Sequence, residues 1–364
     1  MSSRACPCTP LLPALALTLV AAMGCREPAT SDFRHSTDAS SRAGLVALPD
    51  GVLTANEAGT VVRLERTGQV SWRAALDREV ATRPALLGDS VIAGTVGGDL
   101  VRLSLADGAV QWRLTGEPPV LTAPVADAEG KFVFLVAPDG SVRSLFTDTG
   151  KTDWERPPPE GKAEPAAAPR GFPVPVLQDG LLVVALGDAG LMALATQDGA
   201  KRWQRDLRDV LGMTLWRDTL YVSTRQGHVL ALRLGDGTSL WEQAPAEALS
   251  SPPSLALGTV WVGTAGKPSA LVGLSPSDGK EVARVTLPDP LVSEVTPVRE
   301  DLLLVPTSGR QGRLIALNTT TWAQAFSVRA DTPLRTRPVV LGDQVIVLGL
   351  DGRVLSWRLR KTDP

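Results

Sequence analysis

A unit of about forty residues recurs eight times along the chain, and this repeat constrains the fold more than any other feature of the sequence. Its clearest copy spans residues 219–241, TLYVSTRQGHVLALRLGDGTSLW. Two apolar runs are separated by Gln226-Gly227, and a third run, which ends in Trp241, follows Asp236-Gly237. Glycine adopts the positive φ of tight turns without steric cost, so this copy predicts three antiparallel strands in a meander.

The other copies align on the residue that ends the middle run. It is a leucine in seven copies and a tryptophan in the last, at intervals of 38 to 49 residues: Leu64, Leu103, Leu145, Leu194, Leu232, Leu274, Leu317 and Trp357. A glycine stands five places earlier in most copies, and a tryptophan stands eight or nine places later in the first five: Trp72, Trp112, Trp154, Trp203 and Trp241. A further short apolar run precedes each set of three.

Each unit is therefore predicted to form four short strands, which is the size and strand count of a propeller blade. The predicted fold is an all-β, eight-bladed β-propeller of four-stranded antiparallel blades. A tryptophan that recurs once per unit is interpreted as core between blades, and a ligand cage is the alternative.

The two ends of the repeat array complement each other. The eighth unit stops after three strands, whereas the segment 32–37 precedes the first unit in the place where a tryptophan strand precedes later units. We predict that this segment completes the last blade and closes the ring, with Phe33 in the tryptophan position. Closure would protect edges that an open sheet exposes. The propeller domain is predicted to span residues 33–364.

The first 25 residues predict export and lipid attachment. Residues 1–24 combine Arg4 with an apolar run, 11–22, that has the length of a signal-peptide core and is too short to span a bilayer. Small residues before Cys25 resemble the lipobox of bacterial lipoproteins, so Cys25 is the predicted lipid anchor and residues 25–32 a tether. An ordinary secretory signal with an incidental cysteine is the alternative.

Two surface features are candidates for partner binding. The proline-rich insertion 155–175 lengthens the interval between the third and fourth copies, and it is interpreted either as a surface loop or as a partner-binding extension. Thr-Arg-Pro occurs twice before a predicted first strand, with the arginines Arg83 and Arg337. The repeat places both on one rim, in adjacent blades of a closed ring, either as solvated rim residues or as docking residues.

The sequence shows no catalytic constellation. The chain has two histidines, and its three cysteines all lie within the first 25 residues, so no metal site is predicted in the body. No phosphate-binding loop and no nucleophile elbow occurs, so no catalytic or cofactor-binding residue is assigned and no cofactor is predicted. The net charge of −2 argues against a nucleic-acid partner.

The repeat consensus, glycine to leucine to Asp-Gly to tryptophan, resembles the blade of pyrroloquinoline-quinone-like propellers. Over the whole chain, from lipobox to the third strand of the eighth unit, it is similar to the outer-membrane assembly lipoprotein family BamB. This resemblance implies a non-catalytic scaffold, anchored in the outer membrane and facing the periplasm, that binds the β-barrel insertase BamA through loops at one end. No match to that family's docking loop is found, so no contact residues are carried over.

Two alternatives remain. One is an envelope propeller that binds another protein or a polysaccharide. The other is a quinone-dependent oxidoreductase, since quinoprotein dehydrogenases share the blade motif; the body of this chain lacks the adjacent cysteine pair that many of them carry.

Overall fold

A computed structural model describes residues 28–159 and 171–360. The predicted signal peptide, Cys25 and the middle of the insertion lie outside these described residues. Within the two ranges the regular elements are 32 β-strands and one 3₁₀ turn, Gly187–Ala189. The strands form eight four-stranded sheets, which confirms the predicted eight-bladed propeller.

The blades follow one another along the chain. Blades 1 to 4 comprise β2 Val46–Leu48, β3 Gly51–Ala55, β4 Thr60–Glu65, β5 Val70–Ala75; β6 Ala85–Leu87, β7 Ser90–Gly94, β8 Leu100–Ser104, β9 Val110–Leu114; β10 Val125–Ala126, β11 Phe132–Val136, β12 Val142–Phe146, β13 Thr152–Arg156; and β14 Val176–Gln178, β15 Leu181–Ala185, β16 Leu191–Ala195, β17 Lys201–Arg205. Blades 5 to 8 comprise β18 Val210–Trp216, β19 Thr219–Thr224, β20 Val229–Arg233, β21 Ser239–Gln243; β22 Ser254–Ala256, β23 Thr259–Gly263, β24 Ser269–Leu274, β25 Glu281–Leu287; β26 Thr296–Arg299, β27 Leu302–Pro306, β28 Arg313–Asn318, β29 Gln324–Arg329; and β30 Val339–Leu341, β31 Gln344–Leu348, β32 Arg353–Leu359, with β1 Ala29–Ser36.

The repeated leucine has the same structural position in every blade. It lies in the third strand opposite an apolar residue of the second, as in the pairs Val52–Leu64, Val91–Leu103 and Leu220–Leu232. Every residue of the second strands β3 and β7 is buried. Both faces of a blade are covered by neighbouring blades, so these strands read as continuous apolar runs and not as alternating ones.

The hydrophobic core is divided among the blade interfaces. One cluster joins Leu53 and Val61 of blade 1 to Val91 and Val101 of blade 2. Another joins blade 1 to blade 8. Burying one such side chain contributes about 1.5–3 kcal/mol, so each interface rests on many moderate terms.

The five repeated tryptophans lie between blades. Each indole Nε1 donates a hydrogen bond to a backbone carbonyl of the following blade at 2.7–2.9 Å: Trp72 to Leu105, Trp112 to Thr147, Trp154 to Thr196, Trp203 to Leu234 and Trp241 to Pro276. Four of the rings also pack on the glycine of the next blade's turn, where a Cβ would lie 2.5–2.8 Å from the ring: Gly108, Gly199, Gly237 and Gly279. The tryptophan therefore packs between two blades and joins one to the next.

The N-terminal strand β1 pairs antiparallel with β32 and supplies the outer strand of blade 8. Phe33 lies opposite Ser356, the register that Trp241 has with Ala231 in blade 5, and a Cβ on Gly68 would lie 2.5 Å from the Phe33 ring. Phe33 thus occupies the tryptophan position of the last blade.

The predicted tether extends too far toward the propeller. Strand β1 begins at Ala29, which pairs with Leu359, so residues 29–32 belong to the sheet. The physical reason is that Ala29 is buried and the carboxylate of Asp32 accepts hydrogen bonds from Gln344 and Arg358. The composition of this segment carries no signal for those distant partners.

Strand direction defines two faces of the ring. In each blade the loop that enters the first strand and the turn between the second and third strands lie on one side, here called the loop face, because successive strands are antiparallel. The turns between the first and second and between the third and fourth strands lie on the opposite side, here called the turn face.

Candidate functional site

The first strands of the blades line a central channel. At the loop face the channel holds a cavity of about 430 Å³, and further in a cavity of about 600 Å³. Arg83, Val174, Pro175 and Arg337 line both. The residue two places before the first strand lines the loop-face cavity in six blades: Gly44, Arg83, Ala123, Val174, Glu294 and Arg337.

Both arginines of the Thr-Arg-Pro motifs occupy that position. Arg83 precedes β6 of blade 2 and Arg337 precedes β30 of blade 8, and both are exposed. The prediction that they lie in adjacent blades is wrong, because ring closure makes blade 8 the neighbour of blade 1. They lie on either side of blade 1, although they share one rim and one cavity.

Blade 1 places no side chain between them. Its residue at the equivalent position is Gly44, where a Cβ would lie 3.8 Å from the Thr336 methyl group and 3.9 Å from Arg83 Cβ. The Nε of Arg337 lies 3.4 Å from Thr296 Oγ1. Across the described parts of the chain, neither Arg83 nor Arg337 forms an ion pair with a carboxylate, so both guanidinium groups are available to a ligand.

Sequence reasoning missed three charged residues at this mouth. Glu294 is the equivalent of Arg83 in blade 7, and Arg335 and Arg42 lie in the loops that enter blades 8 and 1. Arg42 is held by Glu57, with 2.6 Å between Nε and Oε1. Glu294 stands two places before the first strand of its blade, as Arg83 and Arg337 do. This shared position in the repeat is the sequence signal that identifies it.

Glu57 holds the loop that enters blade 1, which carries Arg42 of the channel mouth. Its carboxylate accepts a hydrogen bond from the Ser40 hydroxyl and pairs with Arg42, and these two interactions hold the pKa of Glu57 below its ordinary value. The loop that enters blade 1 is therefore fixed by a carboxylate that stays ionised in mildly acidic solution.

The C-terminal end of the insertion reaches the same mouth. Phe172 and Val174 line the cavity, and the backbone N–H of Phe172 donates to Thr122 Oγ1 at 2.8 Å. The C-terminal end of the insertion is thus packed onto the loop face. Residues 160–170, which include most of its charged residues, lie outside the described ranges, so its predicted roles stay predictions.

A second repeat position, one place earlier, carries hydroxyl groups in five blades. Thr122 in blade 3 and Ser251 in blade 6 are hydrogen bonded. The hydroxyls of Thr82, Ser293 and Thr336 are buried and have no hydrogen-bond partner within the described structure. These three belong to blades 2, 7 and 8, the same blades that place Arg83, Glu294 and Arg337 in the channel wall.

No group of three or more His, Cys, Asp or Glu side chains in ranges 28–159 and 171–360 is arranged to hold a metal ion. In the same ranges no helix has the length and apolarity needed to cross a membrane.

These features define the class of the protein as an eight-bladed propeller built from the glycine–leucine–tryptophan repeat, with a basic channel mouth. The sequence profile of the family described as "Outer membrane protein assembly factor BamB" matches residues 28–243, 161–294 and 268–362. The chain belongs to this family.

Individual relatives are distant. The BamB proteins of Yersinia pestis and Moranella endobia are 26% and 23% identical over 55% and 79% of this chain, and the matched segments span 53% and 75% of those proteins. The chain therefore aligns with only about half the length of the Yersinia relative.

Solved structures show the same fold. The crystal structure of BamB from Moraxella catarrhalis has a TM-score of 0.72 at 18% identity and covers 92% of this chain and 99% of that one. Quinohemoprotein alcohol dehydrogenase from Comamonas testosteroni has a TM-score of 0.74 at 14% identity, with 93% of this chain and 78% of that one covered. At these identities the likeness concerns the fold alone.

Proposed function

We propose that this protein is a non-catalytic scaffold lipoprotein of the machinery that assembles β-barrel proteins into the outer membrane. The observation that carries the proposal is the family match, which extends from residue 28 to residue 362 and so includes all eight blades. The names of the relatives supply the process. Lipidation of Cys25 would anchor the propeller in the outer membrane, facing the periplasm.

The partner in this proposal is a β-barrel insertase of the BamA type, which docks on the loop face. The loop face carries the features suited to docking: the exposed Arg83 and Arg337, and the anchored end of the insertion with Phe172 and Val174. Arginine beside apolar side chains is a composition enriched at interface hot spots.

The test is affinity purification of the full chain from membranes, followed by mass spectrometry. Wild-type protein is expected to recover the insertase, and the Arg83→Glu/Arg337→Glu double variant to recover much less, because charge reversal at the centre of an interface disrupts it. Arg113→Glu is the matched control, since Arg113 is an exposed arginine on the outer strand of blade 2 with no ion pair among the described residues.

Two results would contradict the proposal. Recovery of an unrelated envelope protein or polysaccharide in place of the insertase would assign the propeller to another process. Dye-linked oxidation after addition of pyrroloquinoline quinone and calcium would make the protein an enzyme. Unchanged recovery with the double variant would remove Arg83 and Arg337 from the interface while leaving the scaffold role intact.

A further inference from the structure

We infer that the loop-face mouth of the channel, between blades 8 and 2, is a binding site for a carboxylate or phosphate oxyanion. The inference does not rest on the proposed scaffold role, because it concerns a small charged group and not the identity of a partner. The site consists of Arg83, Arg337 and Arg335 around the open space above Gly44, backed by Thr82 and Thr336.

The charge balance of the mouth favours an anion. Arg83, Arg335 and Arg337 line one cavity of about 430 Å³, and none of them is paired with a carboxylate in ranges 28–159 and 171–360. Glu294 is the one acidic residue of the described lining, and Arg42 is already neutralised by Glu57. Like charges in a concave wall focus the field and raise the local concentration of anions.

The shape of the mouth provides room for the anion. Gly44 has no side chain where blades 2 and 8 carry an arginine, and a Cβ there would be in van der Waals contact with Thr336 and Arg83, so the room for an anion is the cavity of about 430 Å³ that Gly44 lines. The planar guanidinium groups can approach an oxyanion from both sides, and the fork of N–H donors suits the two oxygens of a carboxylate or phosphate.

The threonines supply a second, independent indication. The side chains of Thr82 and Thr336 line the cavity, Thr82 is 9% exposed, and both hydroxyl oxygens are covered and without a partner in the described structure. A buried hydroxyl without a partner is unfavourable, and native proteins retain few of them. Rotation about χ1 exchanges the hydroxyl with the methyl group and turns the donor toward the cavity, where an oxyanion would satisfy it.

The hydroxyls at the same repeat position in blades 3 and 6 differ, because they have hydrogen-bond partners within the protein. Thr122 and Ser251 hold the same repeat position in blades 3 and 6, where the channel residue is Ala123 or Pro252, and both are hydrogen bonded within the protein. At this repeat position, the hydroxyls without a partner in the described blades are those beside a charged channel residue, as expected if a ligand and not the fold completes their bonding.

The test is isothermal titration of the purified protein with sodium phosphate, with citrate and with a capped tetraglutamate peptide, at an ionic strength held constant with chloride. We expect saturable one-to-one binding of at least one probe. Arg83→Ala and Arg337→Ala are each expected to weaken it by about tenfold, the effect of losing one charge-assisted hydrogen-bonding partner. Arg113→Ala, which removes the same charge from an outer strand, should leave the affinity unchanged.

Two further variants separate a ligand site from a merely basic surface. Glu294→Gln should tighten binding, because it removes the acidic residue of the lining. Thr336→Val should weaken binding while leaving the thermal midpoint of the free protein unchanged or raised, because the hydroxyl it removes has no partner in the fold.

The arms of the experiment also identify the source of the anion. Binding of phosphate or citrate alone indicates a small free anion, and binding of the peptide alone indicates an acidic side chain inserted by a protein. Absence of saturable binding by all three probes up to about 10 mM, or an equal effect of Arg113→Ala and Arg83→Ala, would overturn the inference. Loss of insertase recovery with intact anion binding would instead concern the scaffold proposal alone.

Discussion

Replacing Asp32 by alanine is expected to weaken the seam at which the two ends of the chain meet. Asp32 lies in β1, and its carboxylate accepts hydrogen bonds from Gln344 Nε2 at 2.7 Å and from Arg358 Nε at 3.1 Å. Gln344 is fully buried in β31 and also donates to the backbone carbonyl of Arg66 in blade 1. One carboxylate therefore connects the first strand to the last blade and, through Gln344, to blade 1.

The loss of stability expected for Asp32→Ala follows from the hydrogen bonds that the substitution removes and those that it leaves. The Asp32 side chain is 20% exposed, whereas that of Arg358 is 50% exposed, so the bond to Arg358 is partly screened. The Gln344 amide keeps two other acceptors, the Arg66 carbonyl and the Ser356 hydroxyl, whereas the buried Ser356 hydroxyl loses the Asp32 carboxylate to which it donates at 3.3 Å. Loss of the charge-assisted bonds alone corresponds to about 2 kcal/mol.

Thermal unfolding followed by circular dichroism measures this change. For a propeller of this length, 2 kcal/mol lowers the midpoint by about 3 °C. Asp343→Ala is the matched control, because Asp343 contacts the same Arg358 at 3.7 Å but is 55% exposed, and an exposed pair contributes about 0–1 kcal/mol. Equal midpoints for Asp32→Ala and wild type, or equal losses for the two variants, would refute the role assigned to Asp32 at the seam.

Three further predictions concern the blade interfaces and the channel mouth. Trp203→Ala should cost about 3–5 kcal/mol by chemical denaturation, and Trp216→Ala about 1 kcal/mol or less, because Trp203 is 8% and Trp216 37% exposed. Gly237→Ala should cost more than the roughly 1 kcal/mol of its positive φ, since the new Cβ would lie 2.8 Å from the Trp203 ring, and the excess should vanish in the Trp203→Ala background. Glu57→Gln should destabilise the protein at neutral pH, since the lowered pKa of Glu57 contributes stability above about 4.5, its ordinary value; that contribution is lost as pH falls through the folded pKa, so the denaturation curves of variant and wild type should converge in acid. A difference that persists in acid would contradict the assigned role of Glu57.

The strand count and the tryptophans between blades could be predicted because both are local properties of the repeat. Apolar runs of strand length, turn glycines and a tryptophan at constant spacing are all visible within one unit of about forty residues, as in the stretch that forms β19 to β21. The same reasoning placed Phe33 correctly, because its position relative to the first unit follows the same interval.

The channel mouth could not be assembled in the same way. Arg83 and Arg337 were found as a repeated tripeptide, but they precede the first strands of blades 2 and 8, which blade 1 separates in the closed ring. Glu294 and Gly44 were missed because their residue types differ from arginine, so a search for identity passes over them even though they share its position.

Sequence alone was sufficient to determine the architecture, eight blades of four strands joined by aromatic residues, since each blade is stabilised by neighbours of its own kind and repeats their pattern. Only the tertiary structure decided where β1 begins, which arginines face one cavity, and which threonine hydroxyls lack a partner. Those outcomes depend on contacts between residues hundreds of positions apart, such as Asp32 with Gln344 and Arg358, and no local pattern encodes a contact that exists only after the ring has closed.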